Sequence, residues 1–101
     1  MAGFHSDSVD RLYKVIAAIS SEAECAAFFE DLCTIKELQS MAQRLDTALL
    51  LDQGESYQKI GEQIGVSTAT ISRVNRCLTY GAGGYRTAID KMKGQEDAAE
   101  A

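Results

Sequence analysis

Apolar side chains recur every three or four positions along the 101 residues, and no stretch alternates apolar and polar long enough to make a strand. The pattern predicts an all-α chain of five to six helices. Val9, Leu12, Val15, Ile16 and Ile19 form one apolar stripe over residues 7–19. Ser21 followed by Glu24 has capping-box spacing and opens a second helix over 22–32, through Ala26, Phe28 and Phe29. Thr34 and Glu37 repeat that signal and open the longest element, 35–52. It carries Ile35, Leu38, Met41, Leu45, Ala48 and Leu49 and stops before Gly54, a left-handed cap. At 1.5 Å per residue this helix is a rod of roughly 27 Å. Shorter helices over 57–64 and 68–80 precede the cluster Gly81-Ala82-Gly83-Gly84, and an amphipathic piece spans 87–93. Residues 94–101, small, polar and acidic, read as a disordered tail behind a single domain of residues 1–93.

The spacing becomes specific between residues 57 and 78. Ile60, Gly61, Ile64, Gly65, Val66, Ile71 and Val74 fall at the offsets of a helix-turn-helix. In this reading Gly61 lets the two helices approach closely, Gly65 takes the positive φ of the turn, and Ser67 caps the second helix. Advancing 100° per residue from Ile71 turns Ser67, Val74, Asn75 and Leu78 inward and leaves Ala69, Ser72, Arg73, Arg76 and Tyr80 outward, with Thr68 at one margin. Small hydroxyl and methyl groups followed by two arginines suit base edges and phosphates in a major groove. Gln58 and Lys59, early on the preceding helix, are placed to hold the flanking backbone. The candidate DNA-binding set is therefore Gln58, Lys59, Ser67, Thr68, Ala69, Ser72, Arg73 and Arg76. The same spacing also fits a helical hairpin whose basic face is merely solvated. The glycine cluster is not a phosphate loop, since no strand precedes it and no Lys-Ser/Thr pair follows.

Charge sharpens this reading. The chain carries a net −5, which alone argues against nucleic acid. Residues 1–55 hold four basic and ten acidic side chains, residues 56–93 six basic and two acidic, and residues 94–101 three acids. The helix-turn-helix thus lies in the one basic segment. Such a protein depends on geometry and base contacts more than on bulk attraction to DNA. Other classes lack raw material. Three cysteines without C-x-x-C spacing, read as small buried residues, and the single His5 supply neither a metal site nor a catalytic triad, so no enzyme is expected. No apolar run approaches the roughly 18 residues of a membrane span, and no basic-then-apolar leader opens the chain, so the cytoplasm is the expected location. A single small core leaves Phe28, Phe29 and much of the long helix uncovered, which predicts a homodimer.

Three segments together, the Thr34 capping box with its long helix, Asp31 to Leu45 (DLCTIKELQSMAQRL) and Gly65 to Tyr85 (GVSTATISRVNRCLTYGAGGY), resemble the Trp repressor superfamily, and its YerC/YecD branch in particular. The resemblance covers about residues 8–90. It implies an intertwined all-helical homodimer that presents two helix-turn-helix heads to double-stranded operator DNA, as a transcriptional regulator and repressor. It also implies a candidate effector pocket at Thr34, Arg44, Thr70, Arg73 and Val74, where Trp repressor holds its tryptophan corepressor. Two departures matter. Val74 stands where that pocket has glycine, and a branched side chain there takes space the indole needs, so the resemblance does not carry tryptophan over as ligand. Gln58 stands where Trp repressor has a basic residue, so the operator need not be shared. The competing reading is a dimeric helical module that docks an acidic protein through its basic face.

Overall fold

A computed structural model describes the backbone of residues 4–100 and the side chains of residues 4–95. It contains six helices and, among the described residues, no strand: α1 (Asp7–Ala18), α2 (Glu22–Leu32), α3 (Ile35–Asp52), α4 (Tyr57–Ile64), α5 (Thr68–Tyr80) and α6 (Gly84–Glu100). The chain divides into two compact units, residues 1–39 and 40–101, with the division inside α3.

In the first unit each helix starts at a hydroxyl cap. Ser6 Oγ accepts from the Val9 amide and Ser21 Oγ from the Glu24 amide, both at 3.1 Å. At α3 the exchange is reciprocal: the Glu37 amide donates to Thr34 Oγ1 at 3.1 Å, and the Thr34 amide to Glu37 Oε1 at 2.8 Å. That backbone bond, and then the Thr34 side chain, hold the Glu37 carboxyl below its ordinary pKa. Phe28 and Phe29 meet edge to face at 5.6 Å. Neither α1 nor α2 contains a fully buried residue, and Tyr13, Val15, Leu32 and Ile35 are exposed.

The second unit has a closed core. Ala48 of α3, Val74 of α5 and Ile89 of α6 pack together, flanked by Leu49, Leu51, Leu78 and Tyr85. Ile60 of α4 and Ile71 of α5 are also fully buried. Thr47 is buried as well, and its hydroxyl donates to the Gln43 carbonyl at 2.7 Å, so it brings no unpaired polar atom into the core. Asp52, at the end of α3, ties α6 down: Arg86 reaches its carboxylate at 2.8 Å and Lys93 at 2.9 Å. Lys93 first, then Arg86, hold the Asp52 carboxyl below its usual range.

Three expectations need correction. α6 begins at Gly84 rather than Thr87, because Gly83 takes φ +88° and its carbonyl accepts from both the amide and the hydroxyl of Thr87 at 3.0 Å. That closes the first turn three residues early. The helix then runs through residues 94–100, where a disordered tail was expected; the segment contains no proline and is rich in the helix formers Ala, Glu and Gln. Ala101, the last residue of the expected tail, lies outside the described residues. Cys25 and Cys33 are only half-buried and Cys77 is exposed, so none of the cysteines fills the core of the single chain.

Candidate nucleic-acid interface

The helix-turn-helix is built as its spacing requires. Ser56 Oγ caps α4 by accepting from the Lys59 amide at 3.2 Å. α4 ends at Gly65 in the left-handed region, φ +86° and ψ 19°, with the Gly65 amide donating to the Gly61 carbonyl at 2.9 Å. Ser67 then opens α5: its Oγ accepts from the Thr70 amide at 3.1 Å and donates to Thr70 Oγ1 at 3.1 Å. Ile60, Ile71 and Val74 anchor the pair from within. Gly61 plays a smaller part than its position promised. A Cβ there would meet only the Val66 carbonyl oxygen at 3.7 Å, an ordinary contact, so close approach of the helices does not demand glycine.

The outward face of α5 follows from that anchoring. Ala69, Arg73, Arg76 and Tyr80 are exposed and lie within about 60° of arc on the helix. Among the described residues neither Arg73 nor Arg76 forms an ion pair, whereas Arg86 and Lys93 are held by Asp52. No acidic residue occurs between Glu62 and Asp90. Thr68, Gln58 and Lys59 are exposed too; Lys59 lies 3.8 Å from Glu55, and Gln58 Nε2 donates to Glu62 Oε1 at 3.3 Å. Two of the expected contacts are less free. Ser72, at the side of the stripe, is half-buried, and the exposed Ser67, expected on the inward face, has its hydroxyl engaged with Thr70.

Beside this face, Arg44, Thr70 and Arg73 line one open cavity of about 340 Å³. Ser40, Gln43 and Val66 also line it and were not foreseen; Ser40 and Gln43 sit four and one residues before Arg44, a helical offset that could have marked Ser40. Val74 does not line it. The residue is 1% exposed and points into the core with Ala48 and Ile89, because α5 turns the face opposite its arginines toward α3 and α6. Thr34, the remaining residue of the expected pocket, belongs to the first unit, where its amide and hydroxyl are committed to the cap with Glu37. Among the described residues no cluster of His, Cys, Asp and Glu could hold a metal, and no helix is long and apolar enough to cross a membrane.

Residues 7–93 match the family described as Trp repressor protein. Over 88 residues the chain is 50% identical to the uncharacterized protein YerC of Bacillus subtilis (strain 168), a match covering 87% of this chain and 85% of YerC. Its fold is similar to a crystal structure of a candidate Trp repressor from Staphylococcus aureus, with a TM-score of 0.82 and 42% identity over 88% of this chain and 89% of the other. It is equally similar to a TrpR-like protein from Eubacterium eligens ATCC 27750, at a TM-score of 0.82 and 41% identity over 87% and 91% of the two chains. With the helix-turn-helix in place and the likeness running nearly the length of the chain, this protein belongs to the Trp repressor family and is of the YerC type.

Proposed function

We propose that the protein is a sequence-specific DNA-binding regulator of transcription. It works in the cytoplasm as a homodimer, and it represses by occupying operator DNA through residues 57–78. The observation that carries this reading is the exposed, acid-free face of α5, where Arg73 and Arg76 have no carboxylate partner among the described residues. Unpaired guanidinium groups on a capped helix offer phosphate neutralisation and bidentate recognition of guanine. The exposed Tyr13, Val15, Leu32 and Ile35 of the first unit supply apolar surface for a second copy of the chain. The work required is positioning and base readout, with no catalytic step.

Selection of genomic fragments by the purified protein at about 0.15 M salt tests the reading, because that salt suppresses binding through phosphate alone. The expected result is a two-fold symmetric motif with half-sites about one helical turn apart. The Arg73→Ala, Arg76→Ala double variant should stay dimeric and lose affinity for that motif by roughly 100-fold. No enrichment by the wild type, with retention of an acidic protein partner through the same arginines, would favour the interaction-module reading instead.

We further propose that tryptophan is not the effector. Among the described residues, Val66 is the only apolar side chain on the cavity beside Arg44, and small-molecule sites bury most of a ligand against apolar walls. Calorimetry with L-tryptophan should show no micromolar binding to the wild type; such binding would refute this assignment.

A further inference from the structure

Tyr80 is 83% exposed, the largest exposure among the big apolar side chains described. It ends α5 on the same stripe as Ala69, Arg73 and Arg76, four residues beyond Arg76. Among the described residues nothing after it provides cover: α5 stops at Gly81, and Ala82 supplies the only side chain in residues 81–84. We propose that Tyr80 is a further DNA contact, its phenol O–H donating to a phosphate oxygen at the edge of the groove that α5 enters. This rests on the DNA-binding function proposed above.

Length and charge both point there. From Ala69 to Tyr80 the helix rises about 16 Å, whereas the major groove is about 12 Å wide. With the first turn of α5 over base edges, the far end of the helix has therefore left the bases and meets the sugar-phosphate rim. A tyrosine hydroxyl is a neutral donor, suited to fixing register on a phosphate without reading sequence. The neighbouring arginines are the attracting field, and no acid on α5 opposes them. An acidic protein surface would also be drawn to this stripe, and retention of such a partner without DNA binding is the outcome that would favour it.

The test compares wild type, Tyr80→Phe, Tyr80→Ala and Arg76→Ala on a duplex of about 40 base pairs recovered in the genomic selection and on a scrambled duplex of the same length. Affinities are measured across about 0.05–0.3 M salt. Tyr80→Phe should weaken binding to both duplexes by the same factor, between roughly threefold and tenfold, with an unchanged salt slope. Arg76→Ala should lower the salt slope, because it removes a charge. Since the side chain is exposed, both Tyr80 variants should keep the helicity and dimeric state of the wild type. Wild-type affinity in Tyr80→Phe overturns the proposal, whether or not Tyr80→Ala is weakened, as does a loss confined to the selected sequence. A selection that enriches no fragment, together with no binding of the wild type to the scrambled duplex, overturns the DNA-binding function itself, and this contact with it.

Discussion

The two compact units show that forming helices and burying them are separate achievements. Residues 1–39 have clear local signals: three hydroxyl caps, one of them reciprocal, and an apolar stripe along α1. Yet every fully buried side chain described lies in residues 40–101. Caps satisfy backbone groups one turn at a time and need no tertiary neighbour. A core needs several elements converging on one point, as α3, α5 and α6 converge on Ala48, Val74 and Ile89. The first unit thus has its helices without a core of its own, and the surface this leaves bare is what the homodimer reading assigns to a second copy.

Substitution of one isoleucine in each unit gives the sharpest contrast. Ile71→Ala should lower unfolding free energy by about 2–5 kcal/mol in a denaturant titration, because it opens a cavity in a closed core. Ile35 is 77% exposed in the single chain. Ile35→Ser should therefore act through association, raising the dimer dissociation constant roughly tenfold in sedimentation experiments while changing the dissociated chain's stability by less than about 0.5 kcal/mol. Equal, concentration-independent losses in both variants would erase the distinction between the units.

A weaker contrast separates two carboxylates, both held below their ordinary pKa. Glu37 is held by a cap three residues away, whereas Asp52 is held by cations 34 and 41 residues along the chain. Because folding favours the ionised form of each, their contributions are complete above the unfolded-state pKa and fade as pH falls through the lower folded value. Between about pH 5 and pH 3, wild type should lose thermal stability more steeply than Asp52→Asn. Glu37→Gln should alter only helicity at the start of α3, read by amide exchange. An acid profile of Asp52→Asn identical to wild type would remove Asp52 as the clasp of α6. The smallest effect belongs to Gly61→Ala, which should raise stability by up to about 1 kcal/mol, since its Cβ has room and alanine favours helix. A loss there would restore the close-packing role that the spacing suggested.

Legibility in the sequence followed the range of the interactions. The bounds of α3 can be read because Thr34 and Glu37 start it, and a positive-φ glycine, Gly54, follows its end. The turn at Gly65 and the cap at Ser67 depend equally on neighbours in the chain, as does the Ser56 cap, which the spacing analysis missed. The start of α6 was hidden because four small residues in a row do not reveal which one turns; Gly83 does. Its far end was hidden because a lack of apolar residues predicts a lack of packing, which is a different property from helicity. Arg44, Thr70 and Arg73 were matched through the family resemblance and do share a cavity. For Val74 the helical periodicity of α5 gives an inward place and the resemblance a place in the pocket; the core it shares with Ala48 and Ile89 agrees with the periodicity.

Gly81 closes α5 in a way that bears on redesign. A Cβ at that position would come within 2.3 Å of the Cys77 carbonyl oxygen, a backbone atom that cannot swing aside. Any other residue must therefore abandon this chain path. Together with the Ser67 cap, this makes the thirteen residues of α5 a cassette of set length, bounded at both ends by chemistry that does not involve its outer face. If the proposed DNA-binding role holds, libraries that retarget the protein can vary Thr68, Ala69, Arg73, Arg76 and Tyr80 without disturbing how α5 starts and stops, provided the two bookends are left alone.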